Sequence, residues 1–165
     1  MATATLTPAK VERPLDDLKA PRKAEIIKNL NASLATNLDL YMVAKQAHWN
    51  VKGPNFQGLH ELFDLISDAA REYADLVAER AVALGGMALG TREDVVANSG
   101  LKTFSSKERL WEPLVREVHG RVLADADQAR QFSSDLDDDL ATQDIYIEVI
   151  RGLDKWAWML EAHLG

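Results

Sequence analysis

Apolar residues recur at spacings of three and four through four long segments, and this periodicity limits the fold more than any other feature. In the first segment Ile27, Leu30, Leu34, Leu38 and Tyr41 form a stripe that continues into Lys45 and His48. The second carries Phe56, Leu59, Phe63, Ile66, Ala70, Tyr73, Val77, Ala81 and Leu84. The third runs from near Trp111 through Leu114, Val118, Val122 and Ala126 to about Phe132. The fourth, from about Asp144 to His163, holds Ile147, Ile150, Leu153, Trp156 and Leu160. Each repeat lines one face of an α-helix. No segment alternates with the period of two that a half-buried strand requires.

The breaks between these segments set the connectivity. VKGP at 51–54 stops the first helix, and Asn55 stands where the second needs an N-cap. Gly85-Gly86 ends the second helix. Thr91, with Asp94 three positions on and then Val95 and Val96, opens a short helix in the connection. Pro113 is tolerated in the first turn of the third long helix, and SSDLDDDLATQD forms an acidic turn before the last. A connection from about 85 to 110 is long enough to cross the bundle. The expected fold is all-α: a ferritin-like four-helix bundle with a short helix between helices 2 and 3. Residues 1–23 hold three of the five prolines and no helical period, so they read as a flexible arm before a domain at 24–165.

The chain has no cysteine, so any metal must be held by His, Asp and Glu, a donor set that suits iron, zinc or manganese. The net charge of −7 is unevenly placed. The arm carries Lys10, Arg13, Lys19, Arg22 and Lys23 against Glu12, Asp16 and Asp17, a net of +2, which leaves −9 on the remainder. The body repels nucleic acid, and any attraction must come from the arm. No apolar run reaches the ~18 residues of a membrane span. The first residues, MATATLTPAK, lack the basic start and apolar stretch of a secretion signal. With the missing cysteines, this fits a cytoplasmic protein.

On the second helix His60, Asp64, Asp75 and Glu79 fall within about 100° of one another, at about 100° per residue. Acids on a helix face are usually just its solvated side. Asp64 and Asp75, however, are about 16 Å apart along the axis, too far for one ion to bridge. The four residues form two incomplete pairs, His60 with Asp64 and Asp75 with Glu79. A second copy of the helix, antiparallel about a two-fold axis between Ala69 and Ala70, sets residue i opposite residue 139 − i. His60 then faces Glu79, Asp64 faces Asp75, and Asp68 faces Arg71. Two-fold symmetry turns two half-sites into two whole ones. The hairpin about Gly53-Pro54 brings His48 toward His60 and Asp64, with Lys45 able to neutralise a ligand carboxylate from behind. The Glu-x-x-His spacing of a site inside one bundle does not occur: Glu117 and Glu161 are each two residues from a histidine.

The run KQAHWNVKGPNFQGLHELFD (45–64), followed by AERAVALGGMALGT (78–91) and LDKW in the last helix, closely resembles the Dps family, the DNA-binding proteins from starved cells. The resemblance spans about 25–163. It implies a dodecameric miniature ferritin, built from two-fold dimers, that oxidises Fe(II) with hydrogen peroxide in preference to dioxygen and stores the ferric product inside. The implied ligands are His48, His60 and Asp64 of one subunit with Asp75 and Glu79 of its two-fold mate. Trp49 matches the family tryptophan beside the site, where it passes electrons or traps oxidising equivalents; its other reading is an interface anchor. Asp137, Asp138, Asp139 and Asp144 lie where the family has acidic pores for iron entry, though helix capping also accounts for acids there. The basic arm loosely matches the family's DNA-binding arm, and twelve copies would add avidity to weak contacts. The place implied is the cytoplasm, in association with the nucleoid.

Two rival readings belong to other classes. One is a nucleoid-compacting DNA-binding protein whose metal site is vestigial or holds structural zinc. The other is a helical scaffold without chemistry, in which the half-site register is coincidence.

Overall fold

A computed structural model describes residues 17–165 and contains five helices: α1 Ala20–Asn50, α2 Phe56–Ala83, α3 Arg92–Asn98, α4 Trp111–Ser133 and α5 Leu140–Glu161. There is no strand among the described residues, only one isolated backbone bridge between Lys52 and Leu110. The arm expected over residues 1–23 lies, up to residue 16 and so with Lys10 and Arg13, outside the described residues. α1 packs along α2 and α4 along α5, and the two hairpins join through α1 with α4 and α2 with α5. This is the ferritin-like four-helix bundle expected from the apolar periodicity.

The crossing of the connection can be followed by its hydrogen bonds to α1. The Asn31 amide donates to Met87 O at 2.9 Å, and Leu89 N–H donates to Asn31 Oδ1 at 2.7 Å. Farther along, Gly100 N–H donates to Thr36 Oγ1 at 3.0 Å and Ser99 Oγ to Asp39 Oδ2 at 2.6 Å. The walk ends where Lys52 N–H donates to Arg109 O at 2.8 Å and Trp111 N–H to Lys52 O at 3.0 Å. α4 therefore starts at the α1–α2 turn and runs antiparallel to α1. α3 sits on this route and opens with the Thr91/Asp94 capping box.

Two helix starts differ from expectation, and the third keeps its expected place. α1 begins at Ala20, with Pro21 in its first turn where a missing N–H costs nothing. α5 begins at Leu140, four residues before Asp144, because the Asp139 side chain accepts from Thr142 N–H at 3.2 Å and caps the helix. Asn55 occupies the N-cap position of α2 without using its side chain. The apolar stripe of α1 is also displaced. Ile26, Leu30, Leu40, Ala44 and Ala47 are buried, while Ile27, Leu38 and Tyr41 sit at the edge of the core. α1 is covered by both α2 and α4, so its buried face is wide and takes in Ser33, Thr36 and Asn37.

Gly53 fixes the α1–α2 hairpin. Its φ of 140° lies outside the range L side chains ordinarily adopt, and an added Cβ would stand 2.5 Å from Trp111 Cδ1. The same turn brings the end of α1 beside the start of α2. Gly53→Ala is expected to cost about 1–3 kcal/mol through backbone strain and overpacking. A fall in the thermal midpoint of the metal-free protein checks this; an unchanged midpoint would contradict it.

Candidate metal centre

His48 is in the last turn of α1 and His60 in the second turn of α2, and the Gly53 hairpin lays them face to face. Their ring centroids are 3.7 Å apart at 21°. Each ring hydrogen-bonds the other's backbone: His48 Nδ1–H donates to His60 O at 2.7 Å and His60 Nδ1–H to His48 O at 2.9 Å. A carbonyl oxygen can only accept, so both Nδ1 atoms carry a proton. In the neutral rings this leaves the lone pair on both Nε2 atoms. Orienting a histidine through its second nitrogen is the usual support for a metal-ligating imidazole. Phe56, predicted as core, is instead 44% exposed and stacks on His60 at 5.2 Å.

Asp64 lies one turn beyond His60, and its carboxylate is paired with the Lys45 ammonium. That hydrogen bond holds the Asp64 carboxyl below the ordinary carboxylate range, with further help from the neighbouring histidines against a desolvation that works the other way. Lys45 is raised by the same contact. Asp75 and Glu79 are exposed at the far end of α2, about 22 and 28 Å from His60 along the helix axis. Among the described residues no group of three or more His, Asp or Glu side chains converges on a point suited to a metal ion. One chain thus brings together the two histidines, and Asp64 with Lys45, but keeps Asp75 and Glu79 apart from them. Trp49, beside His48 in sequence, is 67% exposed.

The acidic turn is more divided than its sequence suggests. Asp139 is buried, paired with Arg80 at 2.8 Å and bonded to Thr142. Asp138 receives Arg22, whose Nε and Nη2 both donate at 3.0 Å. Arg22 also reaches Glu25 at 3.0 Å and Asp135 at 3.2 Å. That contact holds the Asp138 carboxyl below its ordinary range. Only Asp137 and Asp144 remain exposed and without such a partner. Of the arm's basic residues, Arg22 is committed to this turn, and Lys19 and Lys23 lie at the start of α1. Sequence reading assigned Arg22 to the DNA-binding arm and did not name Arg80. Asp139 with Thr142 three positions on was a readable capping signal; Arg22 with Asp138, across 116 positions, carried none.

Comparison with known proteins agrees with this architecture. The family described as ferritin-like domain matches residues 27–165. The DNA protection during starvation protein of Agrobacterium fabrum is 39% identical over 160 residues, covering 94% of this chain and 97% of that one. Its counterpart in Mycolicibacterium smegmatis is 33% identical over 153 residues, covering 91% and 81%. Among solved structures, Mycobacterium smegmatis Dps in a tetragonal form has a TM-score of 0.87 at 30% identity, covering 92% and 94%. Dps from Microbacterium arborescens in a high-iron form has a TM-score of 0.82 at 31% identity, covering 90% and 98%. The chain belongs to the ferritin-like family, and within it to the Dps proteins. No described helix is long and apolar enough to cross a membrane.

The division of the acidic turn has a direct check. Asp139→Ala removes a helix cap and leaves the half-buried Arg80 without its carboxylate, and is expected to destabilise the protein by about 1–3 kcal/mol. Asp137→Ala, at an exposed position, is expected to stay within about 0.5 kcal/mol. Denaturant midpoints of the two variants compare them; equal losses would refute the division.

Proposed function

We propose that this protein is an iron-storing ferroxidase that oxidises Fe(II) with hydrogen peroxide at sites shared between two copies of the chain. The observation that carries the reading is the split of donors along α2. A preorganised histidine pair with Asp64 stands at one end, and two unpaired carboxylates, Asp75 and Glu79, at the other. In the 139 − i register each end completes the other. Packing supports the same register. Leu65, 51% exposed, falls opposite Ala74, which lines a groove of about 300 Å³ with Leu34, Leu38 and Ala78 at its base and Arg71, Glu72 and Asp75 along it. Phe56 falls opposite Ala83, in a groove of about 480 Å³ lined by Ala78, Glu79, Val82 and Ala88. Exposed apolar side chains therefore fall opposite grooves with apolar lining in the same register that pairs the donors.

Iron is the substrate. His48 and His60 present Nε2, and Asp64 presents an ionised carboxylate that exchanges the Lys45 ammonium for the incoming cation. Asp75 and Glu79 of the second copy add negative charge, which favours Fe(III) over Fe(II) and so drives oxidation. Two Fe(II) ions give one electron each, and peroxide takes both as its O–O bond breaks, so no hydroxyl radical is released. The ferric product is stored within a dodecamer. Asp137 and Asp144, the acids free of arginine, supply the attraction for iron entry. Zinc and manganese suit the same donors. The protein acts in the cytoplasm, associated with the nucleoid, and shields DNA chiefly by chemistry. The arm's DNA contact through Lys10, Arg13, Lys19 and Lys23 is weak, since Arg22 is spent on the acidic turn and the body is acidic.

Fe(II) mixed anaerobically with the protein and peroxide tests the reading, with Fe(III) formation followed by absorbance. His60→Ala and Asp64→Ala are each expected to slow oxidation about tenfold or more; oxidation at the unaltered rate would refute the site. Leu65→Lys, which leaves every ligand in place, is expected to abolish dimers and tight Fe(II) binding together. A stable monomer that still binds iron tightly would show that the site is not shared.

A further inference from the structure

Asp125 faces the interior of the bundle from α4 and is 1% exposed. Its Oδ2 has no hydrogen-bond partner, and no ion pair reaches the residue from any described side chain. Every neighbouring helix presents a neutral group. From α1 comes Ser33, 2% exposed, whose hydroxyl donates to the Tyr146 hydroxyl. From α2 comes the Tyr73 hydroxyl, and from α5 the Tyr146 hydroxyl, 3.3 Å from Ser33 Oγ. Both tyrosines are raised by burial, and each feels a charge at Asp125 as a further penalty.

The one cation within reach on α4 is turned away. Arg121, one turn earlier, gives Nη1 to Glu117 at 2.6 Å and Nη2 to the carbonyls of Lys102 and Thr103 at 3.1 and 2.7 Å; its buried Nε has no partner and makes no hydrogen bond or ion pair to Asp125. It thereby fastens the crossing connection to α4. The acids that act on Tyr73, Glu72 and Glu148, are exposed and of the same sign as an Asp125 carboxylate. A buried carboxylate with neither counter-ion nor donor costs far more than taking up a proton.

We propose that Asp125 is a neutral carboxylic acid in the native protein, and that this internal proton makes the fold more resistant to unfolding in mild acid. Burial pushes the carboxyl up to about 8. Below the ordinary carboxylate pKa of about 3.9, folded and unfolded chains both hold the proton, and the full stabilisation is present. Between there and about 8, only the folded chain holds it, so the unfolding constant rises about tenfold per pH unit. Above that range both forms are ionised and the dependence ends. Tyr73 and Tyr146 stay protonated throughout and add nothing to the slope. The usual acid loss from depressed carboxylates such as Asp64 and Asp138 lies lower, at the acid end of this window.

Asp125→Asn keeps the shape and remains neutral at every pH, so it removes the slope and leaves the packing. Denaturant unfolding of the metal-free full chain, at one chain concentration, compares the two proteins between about pH 5 and 8. The ratio of their unfolding constants is expected to change by about tenfold per pH unit, with the variant gaining as pH rises. Parallel profiles would overturn the proposal. Infrared spectroscopy of the unaltered protein near neutral pH gives a second readout that does not depend on the variant folding. A deuterium-sensitive carbonyl band of a protonated carboxylic acid is expected, and its absence would overturn the proposal even if Asp125→Asn failed to assemble.

Discussion

A helix advances about 1.5 Å per residue and does not fold back, and this rigidity of α2 governs the candidate site. His60 and Asp64 lie at its beginning, Asp75 and Glu79 near its end, and no motion within one chain can bring them to one ion. The Gly53 hairpin can add only His48 to the first group. It does so with a pair of Nδ1–H to carbonyl bonds that hold each imidazole against the other's backbone. A fold that builds so ordered a histidine pair, and leaves two carboxylates bare on the same face, has divided a donor set. Antiparallel packing of two α2 helices is the simplest operation that reunites it.

Charge allocation at the α4–α5 turn follows a different logic. Asp135, Asp137, Asp138 and Asp139 crowd into five positions and would repel one another and the α5 start if left alone. Two arginines from other helices relieve this. Arg80 of α2 meets Asp139 inside the protein, where the carboxylate also caps α5. Arg22 meets Asp135 and Asp138 at the surface, and α1 begins without any side-chain cap of its own. The start of α1 and the turn therefore steady each other. Surface pairs of this kind are individually weak, but a guanidinium with three carboxylate partners is held in one orientation. A charge so held is not available to DNA.

Much of this was legible from sequence, for physical reasons. The helices follow from a periodicity of apolar residues that only a 3.6-residue repeat satisfies, and the crossing follows from a connection too long for a simple turn. The half-site register follows from counting, since helix geometry converts residue number directly into distance. What escaped depends on contacts between residues far apart in the chain. Nothing local says that Asp138 meets Arg22, or that Phe56 leaves its apolar stripe to stack on His60. The buried face of α1 was misplaced by one residue at Ile26 and Ile27, because a helix covered on two sides buries polar residues that periodicity counts as solvent-facing. Arg121 and Asp125, one turn apart, look in sequence like an ion pair, yet Arg121 is drawn off by Glu117 and two loop carbonyls.

That last displacement bears on where chemistry can occur in this bundle. Its described interior holds no histidine and two carboxyls, Asp125 and an Asp139 already committed to Arg80 and Thr142, a set too poor in free donors to retain an iron ion. On the proposed reading the metal ligands lie instead on an outer face, where they cost the core nothing until a second copy arrives. Placing them there ties activity to assembly, because half of each site is contributed at the moment two chains meet. A chain that unfolds or stays alone then offers a histidine pair and a lysine-masked aspartate, too little to hold Fe(II) long enough to meet peroxide. If iron and peroxide are the substrates, as proposed, withholding the site until two chains meet is a physical safeguard, and it requires no regulator beyond the geometry of α2.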